Sequence, residues 1–172
     1  SLIQSQNYRL HLSSKIGSKI SIFLYMNTTK IDVTRVSNQS EIIGIRDLQV
    51  LNLKQNITTE EAIDQGFLTA SYSIEYLQEM NAASSAIIAK DGDKVVGYAL
   101  VATKDIRNGH DLVESLFDSI DKSEYNGKLL RDVNYVVVGQ LCVAKEYRGQ
   151  NLVQKLYGHF RECLSKEFSY LV

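Results

Sequence analysis

The feature that most constrains this chain is an almost uninterrupted apolar run, Tyr135–Val143. Only Gly139 and Gln140 interrupt a stretch that is otherwise β-branched, aromatic or aliphatic, apart from one cysteine. The run is far shorter than the ~20 residues that a membrane-spanning helix needs, and it is typical of a strand covered on both faces. We therefore predict a central strand at 135–143, inside a layered fold of sheet and helices.

The composition excludes several classes of protein. The 172 residues are 44% hydrophobic and 23% charged, close to the average for globular domains and unlike collagen-like or disordered chains. The two cysteines, Cys142 and Cys163, form at most one bridge. A disulfide scaffold is therefore excluded, and we expect reduced thiols in a cytoplasmic protein. No apolar run is long enough to cross a membrane, so no membrane partner is expected.

Charge is distributed unevenly along the chain. Residues 1–31 carry four basic and no acidic side chains, which leaves 15 basic and 20 acidic residues in 32–172 and a net charge of −5 there. Such a body is a poor match for nucleic-acid phosphates, which bind clustered Lys and Arg. We therefore expect no nucleic-acid partner.

The basic head, residues 1–26, has three interpretations that the sequence leaves open. It has the positive charges and the short apolar patch of a targeting leader, although no small-residue cleavage pattern follows Met26. Alternatively, it is vector-derived sequence or an extension upstream of a true start at Met26. A third interpretation is an extra strand, because residues 8–13 alternate weakly between polar and apolar side chains.

Local signals after residue 26 predict a single mixed α/β domain. Asp91-Gly92 is a strong turn signal between two apolar runs and predicts a hairpin. Helix starts are predicted at three capping residues, Asn38, Thr58 and Ser73. The strands are predicted at 30–36, 85–90, 94–102, 135–143 and 169–172.

Two further helices are predicted from apolar spacing. One lies within the polar segment 104–134, where Asp111 and Glu114 are expected to cap it. Its apolar face is predicted at Leu112, Val113, Leu116, Phe117 and Ile120. The other follows Gly149, with an apolar face at Leu152, Val153, Leu156, Tyr157, Phe160 and Leu164.

The segment between the central strand and the last helix carries the chemistry. Here Tyr147-Arg148-Gly149-Gln150 forms a predicted tight turn at the start of the helix. A helix N-terminus presents unpaired backbone N–H groups and about half a positive charge, so it is able to hold an anion. Gly149 lets the backbone come close to the bound group. A diphosphate is the natural ligand of such a turn.

The pattern Leu141-x-Val143, followed by Tyr147-Arg148-Gly149-Gln150, resembles the acyl-CoA-binding segment of the GNAT superfamily of N-acetyltransferases. The resemblance covers roughly 27–172 and is most specific over 139–156. It implies an α/β fold with a single mixed, mostly antiparallel central sheet flanked by helices, in which two strands splay apart at the acyl-CoA site. Segment 104–134 is then an insertion between the third and fourth strands of the family.

The resemblance implies an acetyl-CoA-dependent N-acyltransferase that acetylates a primary amine of a small molecule or a peptide. In the family, backbone amides of the loop hold the CoA pyrophosphate, and the preceding strand stabilises the thioester carbonyl. The implied pyrophosphate residues are Arg148, Gly149, Gln150, Asn151, Leu152 and Val153. The implied pantetheine and thioester residues, acting through their backbone, are Leu141, Cys142 and Val143.

The sequence departs from the family pattern at two positions. Asn151 stands where a second glycine is usual, and Val153 stands where Gly or Ala is expected. Asn tolerates left-handed backbone, whereas a branched Val153 side chain crowds an approaching phosphate. The rival interpretation is therefore a non-catalytic CoA-binding or protein-interaction domain on the same fold.

Catalytic side chains are less well defined. Glu75 is a candidate base, because it lies in the region that faces the acceptor in the family, and Tyr135 is a candidate for contacting substrate from the central strand. Each also has a plain structural interpretation, as a solvated carboxylate and as a core residue. No metal site is predicted, because His159 and Cys163 on one helix supply only two ligands.

The frequent general acid of the family, a tyrosine in the helix after the fifth strand, falls beyond Val172. We therefore expect the C-terminal end of the domain to be missing from this chain. The alternatives are that a partner supplies it or that residues 8–25 fold back into the sheet. The acidic body favours a cationic acceptor such as a polyamine, an aminoglycoside or a lysine side chain. A homodimer is left open.

Overall fold

Strands and helices follow one another along the chain in nearly the predicted order. The computed structural model describes residues 30–65 and 67–172, and the predictions for the head, 1–26, lie outside this part of the chain. The strands are β1 (Asp32–Arg35), β2 (Ile87–Asp91), β3 (Lys94–Ala102), β4 (Glu124–Tyr125), β5 (Lys128–Leu129), β6 (Tyr135–Val143) and β7 (Tyr170–Leu171). The helices are α1 (Gln39–Leu51), α2 (Thr59–Gln65), α3 (Ile74–Ala83), α4 (Asp111–Asp121) and α5 (Leu152–Leu164).

Five of the strands form one mixed sheet in the order β1-β2-β3-β6-β7. The first three neighbouring pairs are antiparallel, whereas β6 and β7 run parallel. Strands β4 and β5 form a separate hairpin within segment 104–134. The prediction of a mixed, mostly antiparallel sheet is therefore confirmed.

Three helices begin at the predicted capping residues. The side-chain oxygens of Asn38, Thr58 and Ser73 accept hydrogen bonds from the backbone N–H groups three residues further on, at 3.1, 3.2 and 3.1 Å. Each bond satisfies an N–H group that has no partner within its helix. The local capping signals were therefore sufficient to locate the starts of α1, α2 and α3.

The predicted cap of α4 is wrong by one residue. Asp111 is the first helical residue, and the cap is His110, whose Nδ1 accepts a hydrogen bond from the Leu112 N–H at 3.2 Å. A neutral imidazole nitrogen accepts such a bond as a hydroxyl or carboxylate oxygen does. Capping preferences favour Asp over His, so between the neighbours His110 and Asp111 they indicate the wrong residue as the cap.

Helices cover the sheet on both faces. Met80 of α3 packs on the face where Ala102 of β3 and Gly139 of β6 lie. On the other face, Leu156 of α5 lies against Gly97 of β3. Met80 and Leu156 are at most 1% exposed, so apolar burial on both faces stabilises the domain. Among the residues described, no helix combines the length and the apolar character needed to cross a bilayer.

The predicted apolar faces of α4 and α5 are only partly buried. The core members are Val113, Phe117 and Ile120 in α4, and Leu152, Leu156, Phe160 and Leu164 in α5. The remaining predicted members are at least one-third exposed, namely Leu112, Leu116, Val153 and Tyr157. The contact surface of each helix is therefore a narrower stripe than its apolar spacing indicates.

Segment 104–134 packs against the start of β6. The Tyr135 Oη donates a hydrogen bond to Asp121 Oδ1 at 2.8 Å. Arg107 forms ion pairs with Asp121 and Asp118 at 2.9 and 2.6 Å, and the Phe117 ring lies 5.8 Å from the Tyr135 ring. The segment is thereby fixed at the end of β6 that lies opposite to the Gly149 turn.

Candidate active site

In the part of the chain that the structure describes, β6 has a second neighbour, β7, only along its first four residues. It pairs with β7 at Tyr135 and Val136, and the Val138 N–H donates to the Val172 carbonyl at 3.0 Å. Beyond Val138, the described part of the chain provides no strand on this side. We call the backbone of residues 139–143, on the side away from β3, the open edge of β6. The strand pair that was predicted to splay is β6 and β7, and its splaying stays a prediction because the pairing continues to Val172, the last residue of this sequence.

A β-bulge marks the start of the open edge. Leu100 lies opposite Gln140 and Val101 lies opposite Val138, so Gly139 is the extra residue on β6. A Cβ at Gly139 would lie 3.1 Å from the Ala102 Cβ, closer than such atoms usually approach. A bulge bends its strand and changes the direction of the backbone groups that follow, so it defines the geometry of the open edge.

The ladder between β3 and β6 determines which backbone groups reach the open edge. The Ala144 N–H donates to the Val96 carbonyl at 2.8 Å. Since residues of an antiparallel ladder alternate in direction, the Cys142 amide faces β3, whereas those of Leu141 and Val143 face the open edge. Two of the three predicted thioester residues, Leu141 and Val143, therefore direct their amides to the open edge.

The Cys142 side chain is part of the core. It is 7% exposed, and burial raises the pKa of its thiol to about 11. A buried neutral thiol packs as a small apolar group and is a poor nucleophile.

The turn after β6 adopts left-handed backbone twice before α5 begins. Gly149 has φ +76°, and no atom lies within 4 Å of the position that a Cβ would take there. Asn151, the residue before the helix, has φ +59° and ψ +23°. Asn is among the few residues other than glycine that adopt this region readily, which explains how it takes the place of the second glycine.

The first amides of α5 point out of the helix without helical acceptors. The first bond within the helix runs from the Lys155 N–H to the Asn151 carbonyl at 3.1 Å, so the preceding N–H groups have no acceptor of this kind. Leu152 is buried at 2% exposure, whereas Val153 is 38% exposed. The turn and the helix start therefore present a set of amides and a partial positive charge beside Gly149.

The Arg148 side chain is bound by the protein itself. Its Nε donates to the Val143 carbonyl at 3.1 Å, and its Nη2 donates to Asn52 Oδ1, at the end of α1, at 2.6 Å. Its Nη1 lies 3.4 Å from Glu61 Oε1 on α2. The prediction that Arg148 contacts pyrophosphate remains a prediction, and the observed contacts give its guanidinium a role in holding the turn.

Glu61 joins two cations of the turn to α2. Its Oε2 lies 2.8 Å from Lys145 Nζ, in addition to its contact with Arg148. The hydrogen bond from Lys145, together with the charges of Lys145 and Arg148, lowers the pKa of the Glu61 carboxyl. The sequence analysis missed this residue beyond its place in a capping pattern, because its partners lie more than 80 residues away.

A cluster of hydrogen-bonded side-chain amides lies beside the bulge. Gln140 Oε1 accepts hydrogen bonds from Gln49 Nε2 at 2.8 Å and from Tyr98 Oη at 2.7 Å. Its Nε2 donates to the Ala70 carbonyl at 3.0 Å, and Gln49 Oε1 accepts from the Tyr72 N–H at 3.0 Å. We call these residues the Gln140 cluster. The polar break at Gln140 within an apolar run was its only signal in the sequence.

The two weak catalytic candidates differ in exposure. Glu75 is exposed in the first turn of α3, where hydrogen bonds from its own N–H and from Ser73 lower its pKa. Tyr135 is 1% exposed, and burial, with the hydrogen bond to Asp121, raises the pKa of its hydroxyl. Their catalytic roles remain predictions. Within the ranges described, no group of three or more His, Cys, Asp or Glu side chains is placed to hold a metal ion.

The sequence matches a model of the acetyltransferase (GNAT) family over residues 51–168. This match spans more than half of the chain, and it includes β6, the turn and α5. The chain therefore belongs to the GNAT acetyltransferase family, as the Leu-x-Val and Tyr-Arg-Gly motifs predicted.

Solved structures with a similar fold include a GNAT family N-acetyltransferase (YhbS) from Escherichia coli in complex with CoA, with 14% identity, a TM-score of 0.47 and coverage of 81% of this chain. The chain spans 58% of the length of that protein. An aminoglycoside acetyltransferase from an uncultured soil metagenomic sample, in complex with sisomicin, has 14% identity, a TM-score of 0.47 and coverage of 83% of this chain and 74% of its own. NAA60 of Arabidopsis thaliana, in complex with acetyl-CoA, has 14% identity, a TM-score of 0.43 and coverage of 83% and 73%. No curated protein sequence matches the chain significantly.

Proposed function

We propose that this protein transfers an acetyl group from acetyl-CoA to a primary amine of a small molecule or a peptide. One observation carries the proposal: β6, whose Leu141 and Val143 amides point away from β3, runs directly into a left-handed turn at the start of α5. A thioester on the open edge and a diphosphate on the turn then belong to the same bound molecule. Membership of an acetyltransferase family supports this assignment.

In the proposed complex, residues 148–153 contact the pyrophosphate, and the backbone N–H groups from Gly149 to Val153 donate to it. The missing Cβ at Gly149 leaves room for an oxygen to approach the chain. The positive end of the α5 dipole favours the negative charge there. Arg148 acts here by holding the turn against Val143 and α1.

The reaction proceeds by direct attack of the neutral amine on the thioester carbonyl. A C–N bond forms, the C–S bond breaks, and CoA leaves as a thiolate that takes up a proton. A base or a water chain, with Glu75 as the candidate from the sequence, first removes the proton that makes the free amine an ammonium ion. The nitrogen loses one more proton as the amide forms, and this balances the proton that the thiolate takes up. Negative charge develops on the carbonyl oxygen, and the backbone N–H groups of Leu141 and Val143 stabilise it.

The acceptor class is proposed from charge. The net charge of −5 in residues 32–172 favours cationic amines such as polyamines, aminoglycosides or lysine side chains, because an acidic surface concentrates cations. We place the reaction in the cytoplasm, since both cysteines, Cys142 and Cys163, are free thiols in the structure.

The first test is the thermal stability of the full chain with and without acetyl-CoA. A ligand at about 100 times its Kd stabilises the native state by about 2.7 kcal/mol, which raises the Tm of a domain of this size by roughly 5–10 °C. No rise at saturating acetyl-CoA would refute the proposed function.

The second test is release of free CoA thiol in the presence of a polyamine, an aminoglycoside and a lysine-containing peptide. We expect amine-dependent release with at least one of them. A rise in Tm without release from any amine would instead identify a CoA-binding domain without transferase activity.

A further inference from the structure

The Gln140 cluster is unusual for its position in the fold. Among the residues that the structure describes, five polar side chains are buried. Four of them lie at or next to the ends of strands or helices, where unpaired backbone groups need partners: Glu41, Asn52, Ser84 and Thr103. The fifth, Gln49, lies within α1 and is 0% exposed. Its amide is directed at the sheet, where it binds Gln140 beside the bulge.

We infer that Gln140 is a positioning residue for acetyl transfer. Its side-chain amide holds the bulged segment of β6 so that the backbone N–H groups of Leu141 and Val143 point at the thioester carbonyl. The inference rests on the proposed function. Gln140 follows the bulge residue Gly139 directly and lies within the open edge, next to Leu141. Its side chain is therefore placed to hold the backbone of residues 141–143 that follows the bulge.

Three hydrogen bonds hold the Gln140 amide from three separate parts of the chain. They come from α1 through Gln49, from β3 through Tyr98, and from the main chain at Ala70. A bulge that moved by one residue would turn the following side chains to the opposite face of the sheet. Gln140 would then leave all three partners, and Gln49 and Tyr98 among them are 0% exposed, so the cluster favours one register of the bulge.

The same cluster joins the bulge to the chain segment that precedes α3. Gln49 binds Gln140 with its amide nitrogen and the Tyr72 N–H with its oxygen. The Tyr72 ring in turn packs edge-on against Tyr76 and His110, with centroids 5.5 and 5.0 Å apart. The position of residues 70–72 and the geometry of the open edge are therefore set by one set of hydrogen bonds.

The test uses acetyl-CoA labelled with ¹³C at the acetyl carbonyl, bound to the full chain without an acceptor. Hydrogen bonds from Leu141 and Val143 polarise the carbonyl, so we expect its NMR resonance to move downfield in the wild-type complex. In Gln140→Met, which has a similar side-chain length and no polar groups, we expect the resonance to stay near its free position. The Kd for acetyl-CoA should change by less than about fivefold, because the turn at Gly149 is intact.

Tyr76→Phe is the matched control. It removes one buried hydrogen bond, from the Tyr76 Oη to the Ile106 carbonyl at 2.9 Å, outside the Gln140 cluster. We expect this variant to lose stability and to keep the wild-type carbonyl shift. If Gln140→Met does not fold, Gln49→Met removes one partner and leaves Gln140 in place, and we expect a carbonyl shift between the free and wild-type values.

The outcomes separate the inference from the proposed function. A folded Gln140 or Gln49 variant with the full wild-type shift would overturn the inference and leave the proposed function intact. A wild-type complex without any downfield shift would also overturn it. Failure of the wild-type protein to bind acetyl-CoA would remove the proposed function and the inference together.

Discussion

At the scale of single residues, the turn after β6 depends on two positions with left-handed backbone. Gly149 and Asn151 have φ values of +76° and +59°, and the residue between them is exposed. This conformation directs successive amides toward one side of the turn, a geometry that suits anions. Side chains larger than hydrogen at Gly149 enter the space that the pyrophosphate is proposed to occupy.

Replacing Gly149 by alanine tests this directly. We expect the affinity for acetyl-CoA to fall at least about tenfold, with a loss of about 1 kcal/mol in stability from the left-handed alanine. Gly92→Ala is the matched control, because Gly92 also has a positive φ, +58°, with no atom within 4 Å of a Cβ. Titration calorimetry and thermal unfolding of both variants measure the two effects. Equal affinities would show that the ligand does not approach Gly149.

The second prediction at this scale concerns the Cys142 thiol. Because burial raises its pKa to about 11, the thiol stays protonated at pH 8, and alkylation by iodoacetamide requires opening of the fold. In a Cys163→Ala variant, which leaves Cys142 as the one thiol of the chain, we expect labelling at pH 8 to be slower than that of the denatured protein by orders of magnitude. Labelling at the denatured rate would contradict the buried placement.

At the scale of elements, the turn is attached to two helices that are distant in sequence. Arg148 binds Asn52 at the end of α1, and Glu61 of α2 binds both Arg148 and Lys145. The side chain of Glu61 is 13% exposed, so these ion pairs are partly shielded from solvent. The position of α2 is therefore coupled to the turn that is proposed to hold the pyrophosphate.

We predict a pH dependence from this contact. The pKa of Glu61 is lowered in the folded protein, so its stabilising effect is present above its ordinary pKa and is lost as the pH falls through the folded value. Glu61→Gln should lower the Tm at pH 7, and the difference from the wild type should close below about pH 4. Glu60→Gln, an exposed neighbour in the same helical turn, controls for the helix dipole. A difference that is independent of pH would argue against the ion pairs.

At the scale of the whole molecule, the two ends of β6 have different surroundings. Its C-terminal half forms the open edge, whereas segment 104–134 covers its N-terminal end through Tyr135, Asp121 and Arg107. The Lys104 Nζ also lies 4.5 Å from the centre of the Tyr135 ring. These contacts favour a structural role for Tyr135, as an attachment point for the insertion.

Tyr135→Phe distinguishes this role from a role in substrate binding. Removal of the hydroxyl breaks one hydrogen bond to a carboxylate and should lower stability by about 1–3 kcal/mol. The ring contacts with Phe117 and Lys104 remain, so the fold should persist. We expect the affinity for acetyl-CoA and the rate of thiol release to be unchanged, as measured by denaturant unfolding and steady-state assays. A reduced rate at unchanged stability would support the substrate contact predicted from the sequence.

Much of the fold was predictable because its signals are local. The starts of α1, α2 and α3 depend on side chains that bind amides three residues away, and the strands depend on short-range patterns of apolar residues. The family was identifiable for the same reason, since its motif occupies a few consecutive positions around Leu141, Val143 and Gly149. The sequence by itself therefore determined the elements apart from the short β4–β5 hairpin, and it determined the location of the turn, while the resemblance to the family supplied the type of sheet.

The tertiary structure alone decided how these pieces act together. The bulge at Gly139, the outward direction of Leu141 and Val143, and the inward direction of the Arg148 side chain depend on partners in other strands and helices. Gln140 and Gln49 meet although 91 residues separate them. Contacts of this range form only when the sheet and helices pack, because only the packed fold brings such distant buried polar groups together.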